Sequence, residues 1–142
     1  MGSNPDEVIT TELLQGLLRD WFAPWIQAMG LRVSSFGDGE VTLVLPQSEQ
    51  LSRVGGMLCG QAMMAAADTA MVLAIVTQLG TRRPMTTVQL NSSFLKPLSE
   101  QDARITARVI RAGKNLAFGE IDICGANDGR SVCRASTTYA LL

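Results

Sequence analysis

Hydrophobic and polar positions divide the chain into a helical opening, a hairpin, a long apolar run and four alternating segments. In the opening, residues 1–29, apolar side chains at Val8, Leu13, Leu14, Leu17, Leu18 and Trp21 recur at helical spacing. Asn4 is placed to cap that helix, Pro5 to occupy its first position and Pro24 to break it. This predicts an amphipathic lead-in helix lying as a flap, with Trp21, Phe22 and Trp25 as an aromatic cluster at its end. Leu31 to Phe36 and Glu40 to Leu45 alternate apolar and polar residues around Phe36-Gly37-Asp38-Gly39 and predict a β-hairpin ending at Pro46. After a polar loop, Met57 to Leu79 is dense in Ala, Met, Leu and Val on every side and ends at Gly80. It predicts a helix without a polar face, about 35 Å long at about 1.5 Å per residue. Beyond it, Met85 to Leu95, Ala103 to Arg111, Leu116 to Cys124 and Ser131 to Ala140 read as strands, separated at Pro97, Gly113-Lys114-Asn115 and Asn127-Asp128-Gly129. A helix that is apolar all round must be wrapped, and strands with no further helices can wrap it only as one curved antiparallel sheet. The expected class is therefore α+β, a single domain over residues 1–142.

Two features of the long helix are chemical. Asp68 is a lone carboxylate within MMAAADTAMVL, where burial disfavours its charge unless hydrogen bonds or solvent compensate. At the other end, Gly55, Gly56 and Gly60 keep the backbone bare around the first turn, where N–H groups point outward and the helix dipole is positive, an arrangement suited to an oxyanion. On the Met85–Leu95 segment, Thr87, Gln89, Asn91 and Ser93 form a polar row opposite Val88, Leu90 and Phe94; Thr87, nearest the strand start, is the site candidate.

Composition narrows the chemistry. The chain has 142 residues, 46% of them hydrophobic, enough for one ordinary core. A net charge of −1 with interleaved signs offers no cationic field for nucleic acid, and the polar interruptions of the long helix argue against a membrane span. There is no histidine, which removes Ser-His-Asp and Cys-His nucleophiles. Cys59, Cys124 and Cys133 lack zinc-ligand spacing, so no metal site is expected. The odd cysteine count and lack of a leader point to a reducing cytoplasm. Catalysis is left to carboxylate, hydroxyl and backbone.

From Leu31 onward the residues resemble a hotdog-fold thioesterase of the phenylacetate-degradation type, a family that hydrolyses acyl-coenzyme A thioesters. That family shows Asn, two residues, Gly, two residues, His-Gly-Gly, six residues, and Asp followed by a small residue. Here the frame reads Arg53, Gly56, Cys59-Gly60-Gln61 and Asp68-Thr69. TTVQLNSSFLKP from Thr86 resembles the family's central strand, and GKNLAFGEIDI from Gly113 its turn and strand near the coenzyme. The resemblance implies a curved sheet around a long central helix, with catalysis by Gly60, whose N–H polarises the thioester carbonyl, Asp68 as nucleophile or general base, and Thr87 holding water. It implies substrate contacts from Arg53, Cys59, Gln61 and Lys114, with Arg111 or Arg82 near phosphates, and no cofactor beyond coenzyme A as part of the substrate. Met57, Met63, Met64 and Met71 would line an acyl tunnel if they face it. Arg53 and Cys59 replace the family's Asn and His, so a catalytically weak or inactive acyl-CoA-binding protein is the alternative. A hydratase would want an Asp-His pair, and Cys59 without a histidine base is not read as a nucleophile.

Geometry adds a partner. Gly60 and Asp68 are eight residues apart on one helix, about 12 Å along its axis, whereas carbonyl donor and base must converge on one carbon. One chain cannot do this, so the site is expected at the interface of a homodimer, as the family's sites are, with two such dimers expected to assemble as a dimer of dimers.

Overall fold

The computed structural model describes residues 8–142. The lead-in helix α1 spans Thr11–Asp20, with the Thr10 hydroxyl accepting from the Leu13 N–H at 3.0 Å as its cap. Val8 lies outside that helix and is exposed, so its helical spacing is incidental. The proposed cap and proline, Asn4 and Pro5, fall outside the described residues. Leu14, Leu17 and Leu18 bury the inner face of α1. A short helix α2, Pro24–Gln27, starts on the proline that ends the first pattern, as a residue without an N–H can at a helix start.

β1 (Arg32–Gly37) and β2 (Glu40–Leu45) pair through the two-residue Asp38-Gly39 turn, in which Gly39 has φ +75°. A short ladder follows, β3 (Ser52–Arg53) with β4 (Met57–Leu58). The central helix α3 spans Gly60–Leu79 and ends on Gly80 in the left-handed conformation. It therefore begins three residues later than its composition predicts. Gly55 and Gly56, both with positive φ, turn the chain so that Met57 and Leu58 pair back onto Arg53 and Ser52, and the Leu58 N–H is taken by the Leu98 carbonyl at 2.8 Å. These tertiary hydrogen bonds outweigh the local helix preference.

The remaining strands are β5 (Met85–Phe94), β6 (Ala103–Ala112), β7 (Leu116–Gly125) and β8 (Ser131–Leu141). They match the expected segments to within one residue at each end. The six long strands form one antiparallel sheet in the order β1-β2-β6-β7-β8-β5. α3 lies against its inner face, with Ala66, Ala67, Ala70, Leu73, Ala74 and Val76 fully buried against side chains such as Val41, Leu43, Ile105 and Ala107. The helix is apolar and long enough to cross a membrane, yet most of it is buried in this protein core.

Small residues let helix and sheet approach. A Cβ on Gly119 of β7 would lie 2.9 Å from the Arg108 carbonyl oxygen and run into the Met71 side chain. Gly119→Ala is expected to cost about 1–3 kcal/mol by overpacking, read as a lower urea midpoint at unchanged slope. The outer face of the sheet is polar, with Arg108 bridging Glu40 and Glu120 at 3.5 and 3.6 Å and Arg134 meeting Asp122 at 3.4 Å. These exposed pairs contribute little to stability.

Candidate active site

The sheet's inner face reaches Asp68 through an irregularity in β5. Pairing with β8 runs Thr87 to Tyr139 and then Gln89 to Thr138, so Val88 is an extra residue in the ladder. A bulge of one residue reverses the side to which every preceding side chain points. Thr87 is therefore turned toward α3, while Asn91 and Ser93 of the same supposed row face the outer, charged side with Arg108, Glu120 and Arg134. The expected single polar face is two faces, and the one residue singled out from it is the one turned inward.

Asp68 is half-buried, because α3 is uncovered along one side. The Thr87 hydroxyl donates to Asp68 Oδ1 at 2.9 Å. Tyr139 of β8, 2% exposed, donates its phenol proton to the same Oδ1, with the backbone carbonyl of Asp68 also within 2.8 Å of the phenol oxygen. Burial, followed by the charge of Asp68 and the hydrogen bond to it, pushes the Tyr139 phenol far above its ordinary range, so it stays protonated and acts as a donor. No hydrogen bond from the described residues reaches Oδ2. Tyr139 was not singled out from the sequence. The available signal was its place on β8: Cys133, Ala135, Thr137, Tyr139 and Leu141 all point inward, and a phenol on a buried face requires a partner.

Asp68 opens into a groove of about 570 Å³ lined by Phe22 and Trp25 at one end of the lead-in segment, by Met64, Val72, Met85 and Leu90, and by Gln61, Thr87 and Tyr139. Part of the expected aromatic cluster thus borders the carboxylate rather than filling the core, and Trp25 is 61% exposed. Gly60 lies in a different groove of about 260 Å³, with Arg53, Met57, Met63, Phe94 and Lys96. Cys59 precedes the first turn of α3 without making a side-chain cap, so the N–H groups of Gly60, Gln61 and Ala62 have no acceptor among the described residues. Arg53 is exposed and points a guanidinium nitrogen at the Met57 sulfur, 3.5 Å away.

Within one chain, then, Asp68, Thr87 and Gln61 are brought together, Gly60 and Arg53 share a second groove, and Lys114 stands apart. Lys114 is exposed in the β6–β7 turn, where its carbonyl accepts from Arg83 at 3.2 Å; Arg111 is exposed at the end of β6. Of the methionines, Met64 lines the Asp68 groove and Met57 and Met63 the Gly60 groove, but Met71 is 1% exposed and packs in the core, which removes it from any tunnel.

Comparison with known proteins places this architecture. Residues 55–132, more than half of the chain, match the family model described as the thioesterase superfamily. A relative from Thermoplasma volcanium named "Putative esterase" is 30% identical over 101 residues, covering 71% of this chain and 73% of its own. The solved thioesterase of Haemophilus influenzae superposes with a TM-score of 0.85 at 22% identity, covering 96% of this chain and 92% of that one. A mutant of the phenylacetic acid degradation protein of Thermus thermophilus superposes with a TM-score of 0.74 at 21% identity, covering 84% and 100%. The chain belongs to the thioesterase superfamily and has its hotdog fold: an antiparallel sheet around a long central helix, preceded by an N-terminal helix.

Proposed function

We propose that this protein hydrolyses acyl-CoA thioesters in the cytoplasm, at sites shared between two copies of the chain. The observation that carries the reading is the Asp68 carboxylate, half-open to an apolar groove and held on one oxygen by two hydroxyls. Thr87 has committed its only proton to Asp68, so toward water it is an acceptor. A water held between Oδ2 and Thr87 Oγ1 gives a hydrogen to each and keeps a lone pair for the thioester carbonyl. As its oxygen bonds to that carbon, Oδ2 takes the proton and the carbonyl electrons move to oxygen. Collapse then breaks the C–S bond, and the departing thiolate recovers the proton from Oδ2.

The oxyanion needs a donor that the same chain does not bring near. Among the described residues β5 ends the sheet, so one side of its ten-residue backbone has no strand partner there, an edge that invites another strand. Thr87 lies toward the start of β5 in the Asp68 groove and Phe94 at its end in the Gly60 groove. Antiparallel pairing of two β5 strands about their middle sets the Phe94 end of one against the Thr87 end of the other. That brings the first turn of one α3 toward the carboxylate of its partner, where the Gly60 N–H stabilises the oxyanion. Arg53, Cys59 and Gln61 surround the thioester in such a site, and Lys114 with Arg111 faces the coenzyme phosphates.

Incubation with a panel of acyl-CoAs, with release of free thiol as the readout, tests the reading. Turnover with a preference among acyl groups is expected. Tight binding without thiol release would make the protein an acyl-CoA-binding module, and hydrolysis confined to oxygen esters would remove coenzyme A from the substrate.

A further inference from the structure

We propose that Tyr139 is a positioning residue for hydrolysis: together with Thr87 it occupies Asp68 Oδ1, so that Oδ2 alone is presented to water and substrate. The inference rests on the Asp68-centred reading above. A carboxylate has two equivalent oxygens and turns about its terminal bond with little hindrance. Here the equivalence is broken. Both hydroxyls converge on Oδ1, and Tyr139 also reaches the backbone carbonyl of the same residue, so the side chain is clasped back against its own helix. The clasp is rigid because Tyr139 is held within β8 between two neighbours, paired with Thr87 on one side and Ala117 on the other, and its ring is buried. The Val88 bulge is what brings Thr87 and Tyr139 to the same oxygen from adjacent strands.

Among the described groove residues no cation holds the carboxylate, so the two hydroxyls are its anchors there. Of the described side chains lining the groove from α2, α3, β5 and β8, Asp68 and Tyr139 are the ionisable ones.

Tyr139 is the only tyrosine in the chain, which permits a test in both directions. Tyr139→Phe keeps the ring and removes only the hydroxyl that donates to Asp68 Oδ1. kcat should fall roughly tenfold with KM little changed, since a wandering carboxylate is misplaced in the reaction more than in binding. Biosynthetic replacement of tyrosine by 3-fluorotyrosine makes a stronger donor at position 139 alone, keeps the ring, and should lower kcat by drawing electron density from Oδ2, with KM little changed. A lower melting temperature with kcat unmoved in both proteins would assign the ring to packing and overturn the proposal. Should Tyr139→Phe fail to fold, the fluorotyrosine protein decides the matter by itself. Asp68→Asn run alongside separates the two readings. An active Asp68→Asn defeats the carboxylate mechanism itself, whereas an inactive Asp68→Asn with kcat unmoved in both Tyr139 proteins defeats only the role of Tyr139.

Discussion

Asp68→Asn is expected to lower acyl-CoA hydrolysis by at least about a hundredfold while the protein stays folded, as for loss of a catalytic base or nucleophile. The structure explains why the two effects separate. An asparagine can place its amide oxygen where Oδ1 lies and accept from Tyr139 and Thr87 as the carboxylate does, leaving an NH2 in place of Oδ2. The hydrogen bonds that tie α3 to β5 and β8 persist, and the group that takes the proton is gone. Turnover close to wild type in a folded Asp68→Asn protein would move the chemistry to another residue. A sharply lower melting temperature would instead make the carboxylate a structural tie between helix and sheet.

The second large effect is a restoration. Gly60→Pro deletes the proposed oxyanion donor, and Asp68→Ala deletes the carboxylate, so each homodimer should be inactive at both of its sites. Proline is tolerated at the first helical position, which Gly60 occupies, and a Cβ there meets only the Phe94 ring, at 3.4 Å. Mixed dimers made by refolding the two variants together would carry one doubly damaged site and one intact site. With random pairing of equal amounts, half of the dimers are mixed, and activity should return to about a quarter of the wild-type value. Mixed dimers shown to form, yet without recovered turnover, would mean that Gly60 and Asp68 do not meet across an interface.

Much of the fold was legible because short-range chemistry sets it. Strand limits followed from period-two alternation and from punctuation at Pro97, Gly113 and Asn127-Asp128-Gly129, and α3 ended at Gly80 as its C-terminal glycine requires. The separation of Gly60 from Asp68 also needed nothing but helix rise, and the two residues do open into different grooves. Less legible were features that depend on partners distant in sequence. Met57 and Leu58 read as helix by composition but pair with Ser52 and Arg53 after the Gly55-Gly56 turn. Val8 shares the spacing of α1 but precedes its cap.

Composition and order alone determined that one buried helix must be wrapped by an antiparallel sheet, and the absence of histidine left a carboxylate, a hydroxyl and helix N–H groups as the candidates for chemistry. Only the tertiary structure decided how that carboxylate is held. Tyr139 is 71 residues from Asp68 along the chain, and Thr87 reaches the same oxygen because a bulge at Val88 turns it inward. Side-chain spacing records which way a residue points only while the ladder is regular. One extra residue reverses that direction, and neither the bulge nor the phenol's partner exists until β5, β8 and α3 have packed.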